Sequence, residues 1–194
     1  MQVVGIDEVG RGCLAGPLLV VAARQLSDLP IGVMDSKLMT RAQRESLFED
    51  LISSVEFGEG WVKPTEIDQR GLSGAMRLGV VRALRKLIVT HEEEIIMDGP
   101  VNYISKRFKK VRCVIDADAD FPIVSAASIY AKVRRDRYMI ELAKRHPRYG
   151  FDSHVGYGTK SHIEALNKFG SLKRVHRQFF APVQALKELS LWPT

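Results

Sequence analysis

The chain has 194 residues with 29 Lys and Arg against 23 Asp and Glu, a net charge of +6, and is 45% hydrophobic, which suits one domain, or one with a small appendage, built on a sizeable core. No apolar run approaches the ~20 residues of a membrane span, the N-terminus enters an apolar strand pattern with no secretory leader before it, and two cysteines make neither a disulfide framework nor a zinc site. A cytoplasmic monomer with reduced Cys13 and Cys113 as packing residues is expected, and the basic balance favours a polyanionic partner such as nucleic acid.

In chain order, "VVGI" from Val3 and "GPLLVVAA" from Gly16 read as two strands joined by a glycine-rich turn over 10–16. A helix is expected from about Thr40, as N-cap, to Ser53, and "SVEFGEGWVKP" alternates as a third strand. Residues 65–90 read as mainly helical, with Ser73 as a cap and Leu78, Val81, Leu84, Leu87 and Ile88 on the buried side. "EEIIMDG" and "VRCVIDAD" read as short buried strands that each end at an aspartate. A long helix is expected over 122–145, a loop at "PRYGFDSHVGYGT", a helix "KSHIEALNKF" stopped by Gly170, and a basic stretch leading to a short C-terminal helix.

Strand ends that carry Asp7, Glu8, Asp98 and one of Asp116, Asp118 or Asp120 suggest a shared pocket, because ligand sites in open α/β sheets gather there. Carboxylates so gathered repel one another and raise their own pKa values, a cost that divalent cations remove. An all-oxygen set suits Mg2+ or Mn2+, and a pair of such ions is the phosphodiester-cleaving arrangement. Consecutive strand residues point to opposite faces, so the strand is expected to end or twist at Asp7 and Glu8, with Gly10 and Gly12 supplying the freedom. Asp-Gly at 98–99 also suits a plain turn, and His91, His146, His154, His162 and His176, scattered without metal spacing, read as surface or capping residues.

The segments "GIDEVGRG", "DSK", "DG", "SAASIYAKVRRD", "YGFDSHVGYGT" and "HRQFF", in this order and nearly end to end, resemble the ribonuclease HII family. The resemblance implies an α/β ribonuclease H-like fold, a five-stranded mixed sheet flanked by helices. A catalytic domain over 1–145 would be followed by a small helical part over 146–194. It implies an endonuclease acting on RNA/DNA hybrids and on ribonucleotide-containing duplex DNA, with two metal ions held by Asp7, Glu8, Asp98 and Asp118, and a role in ribonucleotide excision repair. Asp118 follows by counting back from Ala126, with Asp116 and Asp120 as neighbours in "DADAD". Gly10, Arg11, Gly12 and Tyr157 would read the ribose, with Lys37, Ser128, Lys132, Thr159 and Arg177 as further substrate contacts. The chain departs from the common family pattern at Leu38 and Cys13. The competing readings are a non-catalytic nucleic-acid-binding module and a type 3 ribonuclease H. The C-terminal "LKELSLWPT" lacks the aromatic pair that docks on a sliding clamp.

Overall fold

A computed structural model describes residues 2–33 and 39–189. Lys37 and the rest of "DSK" lie outside them, as does the end of the C-terminal segment. The architecture is a five-stranded mixed sheet flanked by helices. Its strands are β1 (Val3–Val9), β2 (Leu18–Gln25), β3 (Val55–Val62), β4 (Glu94–Asp98) and β5 (Val111–Val114), in the order β3-β2-β1-β4-β5. β1 pairs antiparallel with β2 and parallel with β4, and β4 pairs parallel with β5.

The helices are α1 (Arg41–Ser54), α2 (Pro64–Lys86), α3 (Ala117–Asp120), α4 (Pro122–Arg145), α5 (Phe151–His154), α6 (Lys160–Phe169) and α7 (Ala181–Leu189). Local chemistry sets several ends. Thr40 and Gln43 form a reciprocal capping box at the start of α1, Thr159 caps α6, and Gly170 at φ 74 stops it. The stretch read as a loop before α6 contains a 3-10 turn at Pro147–Tyr149 and the single turn α5. Among the described residues no helix is long and apolar enough to cross a membrane.

Two sequence expectations change. α2 is broken at Gly71 (φ 66, ψ 170), and its buried stripe runs through Ala75, Met76, Val80, Ala83, Leu84 and Leu87, while Val81 and Ile88 are 40% and 79% exposed. Small residues decide the face: a Cβ on Gly60 of β3 would collide with the Gly79 carbonyl of α2, so the two backbones touch and the helix turns its glycine and alanines inward. The second change is at β5, which ends at Val114; the "DADAD" acids follow in Asp116, left-handed at φ 55, and in the turn α3.

Contacts divide the chain into two compact units, each assembled from separate segments. Unit 1 comprises residues 1–9, 19–61 and 76–134; unit 2 comprises 10–18, 62–75 and 135–194. This differs from the single boundary at 145 read from the sequence, because the glycine-rich turn and the start of α2 join the C-terminal segments. The unit 1 core packs β1 and β2 residues such as Val9, Leu19 and Val21 with Ile123, Ala127 and Ile129 of α4. Unit 2 has its own core of Met139, Leu142, Tyr149, Phe151 and Val155, beside a smaller cluster of Leu14, Leu166 and Val183.

Candidate active site

In unit 1 a cavity of about 280 Å3 is lined by Asp7, Glu8, Val9, Arg44, Asp98, Asp118, Ser128, Ile129 and Lys132. Strand register brings the first acids together. Ile6 of β1 pairs with Met97 of β4, so the next residues, Asp7 and Asp98, lie side by side on one face of neighbouring parallel strands. α4 arrives over that face because Gly5 has no side chain; a Cβ there would stand 2.6 Å from the Ile123 carbonyl carbon. From that anchor the helix carries Ser128 to Asp7, to which its hydroxyl donates a hydrogen bond, and Lys132 one turn further.

β1 does not end at the acids. It continues to Val9, with Asp7 opposite Val21 and Glu8 opposite Val20. Both nonetheless border the cavity, Asp7 buried and Glu8 half-buried, so the shared pocket needs no break at that point. Asp98 Oδ1 accepts the Ala117 amide at 2.7 Å, which ties the end of β4 to the first turn of α3. That turn directs Asp118, 6% exposed, into the cavity, while Asp116 and Asp120 face outward. The alternation of the acids in "DADAD" thereby acquires one inward member.

Desolvation dominates the electrostatics. Burial pushes the Asp7 carboxyl up to about 7; the Ser128 hydroxyl and the Glu8 amide, at 2.7 Å from Oδ1, oppose this, while the charges of Glu8 and Asp98 add to it. Glu8 Oε2 and Asp118 Oδ1 are buried carboxylate oxygens that accept no hydrogen bond, although both residues interact elsewhere.

Unit 2 holds the other residues singled out in the sequence. Gly10 is at φ 85 with Arg135 packed where a Cβ would stand, whereas Gly12 has open space and no left-handed backbone, so the conformational freedom expected of the pair is needed at Gly10 alone. Arg11 is exposed, and Tyr157 is 40% exposed, its phenol pKa raised by burial and by the adjacent Cys13 thiol. Thr159 is occupied as the N-cap of α6, accepting the His162 amide at 3.3 Å.

Arg177 is not a surface phosphate contact. It is fully buried, its guanidinium donating to the carbonyls of Gly10 (2.5 Å), Arg11 (2.8 Å) and Gly16 (3.1 and 3.2 Å), and burial pulls its pKa down to about 10. Arg135, equally buried, donates to Pro17, Ala15 and Val155. The glycine-rich turn is thus braced by two internal cations that satisfy its carbonyls.

The ribonuclease HII family profile matches residues 4–183. A ribonuclease HII of Campylobacter concisus is 44% identical over 193 residues, covering 98% of this chain and 99% of that protein. The crystal structure of ribonuclease H2 from Pyrococcus horikoshii superposes with a TM-score of 0.80 at 29% identity over the whole of both chains. The ribonuclease HII of Archaeoglobus fulgidus, solved as a complex with PCNA, gives 0.77 at 26% identity over 93% of this chain and 96% of that one.

The chain belongs to the ribonuclease HII family. It is therefore a metal-dependent hydrolase acting on RNA, an endonuclease for the RNA of RNA/DNA hybrids.

The residues present fit the divalent cation that a ribonuclease HII uses. The cavity offers four carboxylates and no thiol or imidazole, a donor set for Mg2+ or Mn2+, and a cation would relieve the charge penalty that drives Asp7 toward its neutral form. Among the described residues no three His, Cys, Asp or Glu side chains stand as a group that could hold a metal ion; the Asp7 carboxyl is instead bonded to the Glu8 amide and Ser128, and that of Asp98 to the Ala117 amide.

Two features escaped the sequence reading. Arg44 of α1 lines the cavity, its guanidinium donating to the Met39 carbonyl at 2.5 Å; an arginine in a polar helix offers no signal of this. The histidines read as surface or capping residues, but His154, His162 and His176 are buried together in unit 2. His154 and His162 stack with centroids 4.3 Å apart, and burial pulls His162 and His176 down to about 4 and about 3. Their spacing matches no metal-ligand pattern, so only the fold reveals the cluster.

Proposed function

We propose that this ribonuclease HII cleaves the phosphodiester bond on the 5′ side of ribonucleotides, in RNA/DNA hybrids and at ribonucleotides embedded in duplex DNA. Water adds to phosphorus and the bond to the upstream 3′-oxygen breaks, leaving a 3′-hydroxyl and a 5′-phosphate. The observation that carries this reading is the convergence of Asp7, Glu8, Asp98 and Asp118 on one cavity.

Those four side chains would hold divalent cations, two in the reading favoured here, whose chemistry is to activate water and to stabilise the departing oxygen. The chain's own groups do the rest. Ser128 holds the Asp7 carboxyl in place, and Ala117 orients Asp98. Lys132 and Arg44 bring positive charge to the rim of an otherwise acidic cavity, where a phosphate backbone must approach. Only a 2′-hydroxyl separates ribose from deoxyribose; Tyr157, with the turn formed by Gly10, Arg11 and Gly12, is proposed to read it. Lys37 and Thr159 remain proposed backbone contacts. The setting would be removal of ribonucleotides from DNA in the cytoplasm by a monomer.

Digestion of end-labelled duplexes carrying zero, one and four ribonucleotides, with Mg2+ or Mn2+ in turn, tests the reading. Cuts on the 5′ side of the single ribonucleotide, and none in the all-DNA duplex, are expected. Cleavage confined to the longer RNA tract would favour the type 3 specificity, and binding without cleavage under both metals would favour the non-catalytic reading.

A further inference from the structure

The buried histidines of unit 2 carry a complete proton assignment. The Leu172 amide donates to His176 Nδ1 at 2.8 Å, so that nitrogen bears no hydrogen and the proton sits on Nε2. His176 Nε2 faces His162 Nε2 at 3.2 Å. Of two facing ring nitrogens in a hydrogen bond one must accept, so the His162 proton sits on Nδ1. There it meets the Tyr157 carbonyl at 2.8 Å, an oxygen that can only accept.

The chain of hydrogen bonds therefore runs one way, from the Leu172 amide through His176 and His162 to the Tyr157 carbonyl. Fixed backbone groups at both ends forbid its reversal. His154 completes the frame: its Nε2 donates to the Tyr149 carbonyl at 2.7 Å, its Nδ1 accepts the Gly156 amide at 3.2 Å, and its carbonyl accepts the Tyr157 amide at 2.9 Å. Both peptide groups flanking Tyr157 are thus held within this buried cluster.

We infer that His162, its tautomer dictated by His176, is a positioning residue for Tyr157: this one-way relay holds the backbone from which the tyrosine meets the substrate sugar. The inference rests on the reading of Tyr157 given above. A tautomer that did not match would set a lone pair against the Tyr157 carbonyl, and loss of the His162 donor leaves that carbonyl with the Thr159 amide at 2.9 Å as its remaining donor. Displacements at a substrate-orienting group appear in kcat more than in KM.

The test uses the whole enzyme with Mg2+ and a duplex containing one ribonucleotide. His162→Asn keeps an amide donor near the place of Nδ1, whereas His162→Gln keeps only a polar group near Nε2. The Gln variant is expected to lose about tenfold in kcat/KM, mostly in kcat, and the Asn variant to stay within about threefold of the parent. Placed on Tyr157→Ala, His162→Gln should add no further loss. A Gln variant as fast as the parent, or a full additional loss on Tyr157→Ala, overturns the proposal. Imidazole 15N NMR of the parent protein needs no variant: His162 should be the Nδ1–H tautomer and both His154 and His176 Nε2–H, and any other pattern overturns the relay. Tyr157→Ala cleaving at the parental rate would instead sink the sugar reading, and with it this use of a relay that the NMR can still show to exist.

Discussion

At the centre of unit 1 the perturbed ionisable group is an acid, Asp7, pushed up to about 7; at the centre of unit 2 the perturbed groups include two bases, His162 and His176, pulled down to about 4 and about 3. One cause, desolvation of charge, leads in both cases, but the two settings differ in what they leave undone. The imidazoles satisfy one another as neutral donors and acceptors, so their burial is a finished structural device. The carboxylates add repulsion to burial, a penalty that a bound cation would remove. An unfinished electrostatic problem in a cavity is a better mark of a functional site than burial of a charge as such.

The largest effect that sharpens this contrast is expected from Asp7→Asn. Cleavage should fall by about three orders of magnitude or more, since a cation-holding oxygen is lost where charge develops. The cation-free protein at neutral pH should instead melt higher, because the desolvated charge is gone. Parallel assays of turnover and thermal unfolding check both, and near-normal turnover would refute the assignment of Asp7. Next comes Arg177→Met, which strips the donors from the Gly10, Arg11 and Gly16 carbonyls; a loss of about 3–5 kcal/mol is expected in urea unfolding, together with faster amide exchange in residues 10–16.

The pH response should separate the units more gently. Asp7 has a folded pKa near 7 against 3.8 unfolded, so its contribution is complete at the acid end and is lost as pH rises from about 4 to about 7 in cation-free protein, with Mg2+ reversing the loss. For His162 and His176 the folded values lie below 6.5, so their contribution is present above that pH and is lost as pH falls toward about 4 and then about 3. Each limb is worth on the order of a few kcal/mol. Denaturant titrations from acid to neutral pH, with and without Mg2+, measure them; because the two histidine limbs rise where the Asp7 limb falls, the Asp7 limb is read as the difference between the cation-free parent and Asp7→Asn, and superimposable pH profiles for the two would contradict it. Smallest of all, Val81→Ser and Ile88→Ser should each change stability by less than about 0.5 kcal/mol, since Val81 lies on the exposed side of α2 and Ile88 is exposed just past its end; a loss of several times that at Val81 would mean the helix presents the other face.

Much of the fold was legible where one residue and its near neighbours decide the outcome. Thr40 with Gln43, Gly170, and the bounds of α4 all follow from local chemistry. The acids on β1 and at the end of β4 were legible as well, because carboxylates after apolar runs are unusual. The buried face of α2 was not, since hydrophobicity points to Val81 and Ile88, whereas the Gly60–Gly79 backbone contact sets which side can approach the sheet. Which acid of "DADAD" faces inward depends on α3 being hung from Asp98, a tertiary hydrogen bond. The bracing role of Arg177 depends on partners far along the chain, and the histidine cluster on how the segments over 149–176 fold back on one another.

The two cysteines divide between the units. Cys113, on β5 of unit 1, is half-buried; Cys13, in unit 2, is fully enclosed with its thiol toward the Val155 carbonyl at 3.8 Å. A thiol-reactive dye will therefore reach Cys113 from the native state and Cys13 only during openings of the glycine-rich turn. The slower of the two labelling rates is a built-in clock for how often the segment that carries Arg11 comes loose, readable without altering a single residue.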